Sequence, residues 1–340
     1  MGVPLTQITS LMRCLLAPPT LMTIALVAVL PMRSEHLSFQ QATTSSPSTE
    51  AVVPPQQPVF TTQSDLVVLN LSIKDKQGRY VSDLKSEAFA VFENKQAQTV
   101  SFFVSEDAPV TVGLLVDSSG SMSANRELII AAATSFAATS NPEDEIFAVA
   151  FNDTVTPVLP ENAPFTADPE TLRSAMTASI TTQGRTALYD ALAAGLDYLA
   201  RGTRQRKILI VVSDGGDNAS RTSAQEIWTQ TQASNVVVYT IALVDETDQD
   251  ANPKALKRLA DATGGEAFRP RSIRDVAEVL RRIATDIRHA YTIGYVPPSA
   301  ERDGAFHNVR VIVRTPDGRA ISVRTRTGYV AGTSTNRSRP

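Results

Sequence analysis

The chain has one cysteine, Cys14, so no intramolecular disulfide can brace it. Its three histidines, His36, His289 and His307, lie far apart without ligand spacing, which excludes a His/Cys zinc site. Charge of one sign is also lacking. A net charge of −3 gives no reason to expect nucleic acid or an acidic membrane surface as partner. There is no H-E-x-x-H, no G-x-S-x-G and no phosphate-cradling G-x-x-x-x-G-K-[ST], so the common hydrolase and nucleotide signatures are missing.

What is present suits a folded soluble protein. Of the 340 residues 42% are hydrophobic and 20% charged, enough for one large domain or two ordinary ones. The N-terminus reads as targeting rather than fold. Arg13 precedes Pro18-Pro19 and the apolar stretch TLMTIALVAVL (20–30), as in a secretory signal over 1–32. The stretch is short for a membrane span, which needs about 20 residues. Counted over 14–32, an uncleaved anchor is the alternative, and an apolar tail on a cytoplasmic protein is the bland reading. Residues 33–62, rich in Ser, Thr, Gln and Pro, read as a disordered linker, and 332–340 as a disordered tail. The expected location is outside the cytoplasm: periplasmic, secreted, or tethered to the membrane by the N-terminal segment.

Between 108 and 289 strand-like and helix-like blocks alternate. VTVGLLV (110–116), EIFAVAF (145–151), KILIVVS (207–213) and VVVYTIAL (236–243) are apolar throughout, as in strands covered on both faces. RELIIAAATSFAA (126–138) and ALYDALAAGLDYLA (187–200) read as helices between them. Asp168-Pro169 and Asn252-Pro253 mark helix starts, Gly264-Gly265 a helix end, and Thr222 with Gln225 a capping box. Ile273, Val276, Leu280, Ile283 and Ile287 space a last amphipathic helix over 272–288. The pattern predicts an α/β fold, a doubly wound, mostly parallel sheet flanked by helices. The flanks, 63–106 and 290–331, alternate more strictly around the turns Asp75–Gly78 and Pro316-Asp317-Gly318. Each is too small to bury a core alone. The expectation is one small antiparallel β-sandwich built from both, with two separate sheets as runner-up.

VGLLVDSSGSM (112–122) raises the functional question. An apolar strand ends abruptly in Asp117, followed by Ser118, Ser119, Gly120 and Ser121. Such residues hold a metal, cradle a phosphate, present a nucleophile, or cap a helix. In an open α/β sheet, ligands bind beyond the carboxyl ends of the strands. Two other loops at that end carry Thr186 (GRTALYDAL) and Asp214 (SDGGDN). Together the three loops offer Asp117, Ser119, Ser121, Thr186 and Asp214, all small oxygen donors without His or Cys. That set suits a hard cation: Mg²⁺, or its relatives Mn²⁺ and Ca²⁺. A cation held largely by neutral hydroxyls seeks a further anionic oxygen, such as a partner's Asp or Glu carboxylate.

D-S-S-G-S at 117–121, with Thr186 and Asp214 following in order, resembles the metal-ion-dependent adhesion site of von Willebrand factor type A domains, whose pattern is D-x-S-x-S plus a separate Thr and a separate Asp. The resemblance covers about 108–289. It implies that Ser119, Ser121 and Thr186 bind the metal directly, and that Asp117 and Asp214 often act through water. The flanking DKQGRYVSDL, FAVFENKQAQ and RTGYV are similar to bacterial exported proteins carrying a related domain.

Blander readings stand beside these. Ser119 and Ser121 also suit helix caps, and Gly120 a tight turn. Arg185 and Asp217 are candidate rim contacts for a partner, against a solvated Arg and a turn Asp; Asp217 and Asn218 are also candidates to orient waters around the ion, against plain turn residues. RGTRQRK (201–207) and Arg281-Arg282 read as solvated. The functional expectation is a cation-dependent protein-binding module for adhesion or assembly, and not an enzyme. The alternatives are an envelope scaffold with a purely structural metal and, lower, a metal-dependent hydrolase with Asp214 activating water.

Overall fold

Strand β5 (Val110–Asp117) is buried along its whole length, Asp117 included. Its side chains alternate between two cores. Val112, Leu114 and Val116 join one cluster, and Leu115 joins the other. A strand can be apolar on both faces only when helices cover both, and they do. The computed structural model describes residues 66–105, 107–181, 183–244, 250–297 and 304–331. The expected signal or anchor (1–32), linker (33–62) and tail (332–340) lie outside them. Among the described residues no helix is long and apolar enough to cross a membrane.

The central sheet adds β6 (Glu145–Phe151), β7 (Val155–Pro157), β8 (Arg206–Ser213), β9 (Val236–Ala242) and β10 (Ala267–Phe268), in the order β10-β9-β8-β5-β6-β7. All neighbours are parallel except the β6–β7 pair. Helices α1 (Arg126–Ala138), α2 (Pro169–Ser179) and α6 (Val276–Arg288) cover one face through residues such as Phe136, Met176 and Ile283. Helices α3 (Leu188–Arg201), α4 (Ala224–Ala233) and α5 (Pro253–Thr263) cover the other through Leu192, Ile227 and Leu256. Each such buried side chain contributes about 1.5–3 kcal/mol relative to exposure. The doubly wound α/β fold expected from the strand and helix pattern is present.

Local chemistry explains the helix limits. Asp168 caps α2 by accepting from Thr171 N, with Pro169 in the first turn. Asn252 caps α5 in the same way, accepting from Ala255 N. Gly264 ends α5 at φ +80°, and a Cβ there would lie 2.5 Å from Arg326 N, so a side chain would be both strained and obstructed. The capping box before α4 is formed by Ser223 and Glu226, not Thr222 and Gln225. Both pairs fit the spacing in RTSAQE (221–226), and the ionised Glu226 is the better acceptor for the Ser223 N–H. The last helix begins at Val276, after a short 3-10 turn over Ile273–Asp275 capped by Ser272.

The segment 201–207 is not a solvated loop throughout. Arg206 opens β8, pairs in register with Val110, is 3% exposed, and donates to Ile287 O at 2.5 Å. Arg281 and Arg282 do sit at the surface, paired to Glu278 and Glu266.

The flanks form two four-stranded sheets. One has the order β13-β1-β11-β4, from β1 (Val67–Asp75), β4 (Val100–Val104), β11 (Tyr291–Tyr295) and β13 (Ile321–Arg324). The other has the order β14-β12-β2-β3, from β2 (Phe89–Glu93), β3 (Gln96–Gln98), β12 (Phe306–Val313) and β14 (Gly328–Val330). Each sheet mixes strands from both ends of the chain, with Leu69 opposite Ile293 and Val91 opposite Val311. Leu69, Leu71, Ile73, Val91, Ile293 and Tyr295 share one core. Strand β1 does not alternate as expected. Asn70 and Ser72 on its second face are buried too, because Ser72 Oγ donates to Asp286 Oδ1 in α6 at 2.7 Å.

Candidate functional site

The sheet order places β6 on one side of β5 and β8 on the other. Loops after β5 and β8 therefore diverge, and the crevice between them is the topological switch point where α/β sheets bind ligands. Asp117 is the last residue of β5, and Asp214 follows β8 directly.

Asp117 is 1% exposed and fully engaged by its own loops. Its Oδ1 accepts from Ser119 N at 2.9 Å, and its Oδ2 accepts from Ser213 Oγ at 2.7 Å. Burial pushes its carboxyl above the usual carboxylate range. The Ser119 and Ser213 bonds oppose that shift and the nearby Asp214 charge adds to it. No basic side chain pairs with Asp117 among the described residues.

The turn after Asp117 brings the hydroxyls inward. Ser119 Oγ and Ser121 Oγ lie 3.1 Å apart, and Ser121 Oγ donates to Asp214 Oδ2 at 3.3 Å. The other Asp214 oxygen, Oδ1, accepts from Gly216 N at 2.8 Å. Ser119 precedes a 3-10 turn over Gly120–Asn125, but its side chain makes no capping hydrogen bond. Capping therefore does not account for either serine. Ser119 is buried, whereas Ser121 and Gly120 face solvent, so the cluster is open on that side.

Thr186 is 7% exposed and arrives by backbone ties. Its N–H donates to Asn218 Oδ1 at 2.9 Å, and its carbonyl accepts from Asn218 N and Ala219 N. Gln183 N donates to Ser118 O, and Gly120 N to Gly184 O, both at 3.2 Å. These bonds lace the Thr186 loop to the loops of Asp117 and Asp214. Gly184 has φ +87°, and a Cβ there would lie 1.9 Å from Asp153 Oδ2, so only glycine lets the loop pass. No hydrogen bond occupies the Thr186 hydroxyl among the described residues.

The two rim candidates do not join the cluster. Arg185 pairs with Asp153, Nε to Oδ1 at 2.9 Å, and also donates to Asn218 O at 3.2 Å. Asp217 Oδ1 accepts from Tyr189 N at the start of α3 and from Ser220 Oγ, the role of a helix cap. Ser213 is a supporting residue that motif reading passed over, and Asn218 one whose support of Thr186 it did not place. Ser213 was detectable as the hydroxyl directly before Asp214, at the end of an apolar run. Asn218 reads as a turn residue or as a group orienting waters around the ion, and nothing local signals its reach to Thr186.

The donor set is two carboxylates and three hydroxyls. No cluster of three or more His, Cys, Asp or Glu placed for a metal occurs among the described residues, so any metal here depends on hydroxyl oxygens. Neighbouring oxygens of a Mg²⁺ octahedron lie about 2.9 Å apart, given bonds of 2.0–2.1 Å. The 3.1 and 3.3 Å separations among Ser119, Ser121 and Asp214 are close to that spacing.

A doubly wound α/β domain with a polar cluster at its switch point defines the class. Residues 112–286, half of the chain, match the von Willebrand factor type A domain, and the chain belongs to that family. Among solved structures it is similar to a von Willebrand factor type A protein from Catenulispora acidiphila (16% identity, 81% of this chain and 76% of that one, TM-score 0.46). It is also similar to the corresponding domain of the type V pilus tip protein Mfa5 from Porphyromonas gingivalis (15% identity, 53% and 95%, TM-score 0.44). A third is an aerotolerance-related membrane protein from Bacteroides fragilis (15% identity, 52% and 98%, TM-score 0.40). No curated protein matches the chain.

Proposed function

We propose that the chain is a divalent-cation-dependent protein-binding module that works outside the cytoplasm. In this reading Asp117, Ser119, Ser121, Thr186 and Asp214 hold Mg²⁺ or a close relative, and the ion recruits an Asp or Glu carboxylate of a partner. The observation that carries it is the convergence of Ser119, Ser121 and Asp214 at near-octahedral oxygen spacing, on loops from two adjacent parallel strands. The unused Thr186 hydroxyl and the absence of a capping role for Ser119 support it. The solvent-facing Ser121 favours an open coordination position over a closed structural ion. The ion supplies an electron-poor centre; the chain's part is to present the hydroxyls and hold Asp117 and Asp214 through Ser119, Ser213, Ser121 and Gly216.

A binding role fits better than hydrolysis. The two described histidines are engaged elsewhere: His289 stacks on Tyr80, and His307 bonds Glu93. Export rests on the apolar segment at 20–30. The test is twofold. Mg²⁺ titration by calorimetry should show binding to the native chain and none to Asp117→Ala or Thr186→Ala. Capture of envelope proteins should require Mg²⁺ and vanish with chelator; capture indifferent to both chelator and Asp117→Ala would sink the proposal.

A further inference from the structure

Between α4 and α5 runs a cavity of about 370 Å³, within the size range of ligand sites. Its walls are Tyr189, Ile227, Trp228 and Leu259, and its lining includes two cations, Lys254 and Arg258, with no carboxylate. The Arg258 guanidinium lies 3.9 Å over the Trp228 ring. Neither Lys254 nor Arg258 has an ion-pair partner among the described residues. Ala224, the first residue of α4, and Asn252, the cap of α5, also line the cavity.

The cavity adjoins the switch-point crevice. Asn252, in its wall, donates its N–H to Asp214 O at 3.2 Å. Tyr189, in the opposite wall, donates its N–H to Asp217 Oδ1 on the same loop.

We propose that the α4–α5 groove is a second foothold for the partner, and that it takes an acidic, apolar peptide segment. This rests on the proposed function, in which a partner carboxylate meets the metal. Apolar side chains of the segment lie against Trp228, Ile227 and Leu259. Its acidic residues meet Lys254 and Arg258, which have no ion-pair partner among the described residues. The groove thereby selects among carboxylate-bearing proteins, which the metal alone does not distinguish. A surface cation is a weak contact, but two beside a hydrophobic floor repel a basic segment and favour an acidic one over a neutral one.

Trp228 is the only tryptophan of the chain, so its fluorescence reports groove occupancy without a label. The full chain is titrated with a blocked nonapeptide of Glu-Glu-Leu repeats, and with Gln-Gln-Leu and Lys-Lys-Leu counterparts. The acidic peptide should shift Trp228 emission, the neutral one should bind at least about tenfold more weakly, and the basic one not at all. Lys254→Glu with Arg258→Glu should weaken acidic binding about tenfold or more, and Lys254→Ala with Arg258→Ala by less, while Mg²⁺ affinity stays unchanged. Equal response to the neutral peptide, or response only to phosphatidylglycerol vesicles, overturns the proposal. Chelator separates the two readings. If charge reversal weakens the peptide and chelator does nothing, the groove stands and metal recruitment falls. If chelator abolishes binding and charge reversal does nothing, the groove falls and the metal reading stands.

Discussion

Two buried aspartates, Asp117 at one end of the α/β domain and Asp286 at its seam with the β-sandwich, are 1% and 2% exposed. Their surroundings are opposite. Asp286 accepts from Ser72 Oγ at 2.7 Å and Tyr239 OH at 2.6 Å, pairs with Arg324, and has Lys74 Nζ at 3.5 Å. Burial works against its ionisation, but Arg324, Tyr239, Ser72 and Lys74 outweigh burial and hold the carboxyl at about 2. Asp117 has only neutral donors and a second carboxylate nearby, and its carboxyl is pushed up. One carboxylate is balanced by the fold, tying β1, β9, α6 and β13 together. The other has no basic side chain beside it among the described residues. Burial alone thus says little about an aspartate's purpose; the sign of the charge beside it says more.

The strongest way to break this comparison is to delete the balanced charge. Asp286→Ala leaves Arg324 and Lys74 partly uncompensated in a buried seam, and the expected loss is about 3–5 kcal/mol in denaturant unfolding. Asp117→Ala in metal-free buffer should cost far less, since no cation is stranded by it.

Metal should bring the two losses closer together. At a hundredfold excess over its dissociation constant Mg²⁺ should stabilise the native chain by about 2.7 kcal/mol, seen as a melting temperature higher by about 5–10 °C. Asp117→Ala should show no Mg²⁺ increment, and Asp286→Asn should keep it in full. A Mg²⁺ increment that survives Asp117→Ala would place the ion elsewhere.

Acid provides a third separation. The Asp286 carboxyl is lowered from 3.8 to about 2 on folding. Its stabilisation is therefore complete above the unfolded value and lost as pH falls through the folded one. Native stability should drop by about 2 kcal/mol between roughly pH 4 and 2. Asp286→Asn should remove that part of the acid slope, measured as unfolding free energy against pH.

The two sites were not equally legible in the sequence. Asp117 and Asp214 each interrupt an apolar strand at its carboxyl end, and the fold class says that such ends converge. Asp286 lies in TDIRHA between Ile283 and Ile287, on the stripe of an amphipathic helix where an apolar residue belongs. That misplaced polar residue was a signal, but its partners Ser72 and Arg324 come from strands at opposite ends of the chain, which periodicity cannot connect. Arg206 was missed for a related reason. Its charge reads as surface, yet strand register with Val110 carries it under α6. Hydrophobic pattern located the layers well. It failed where a charged residue is buried by a partner distant in sequence.

The smallest expected effect concerns the charge that belongs to neither class. Arg185 and Asp153 pair at 2.9 Å with side chains 66% and 42% exposed, beside the Thr186 loop. Solvent screens such a pair, so Arg185→Ala should change stability by no more than about 0.5 kcal/mol. Its side chain does not enter the oxygen cluster, so Mg²⁺ affinity should also stay within about twofold of the native value in calorimetry. The Arg185 backbone N–H, which also bonds Asp153 Oδ2 at 3.0 Å, survives the substitution and keeps the loop in place. A large loss of Mg²⁺ affinity would mean that the Arg185 side chain itself orders Thr186. The boundary of the metal-responsive region would then extend from the buried oxygens to an exposed ion pair.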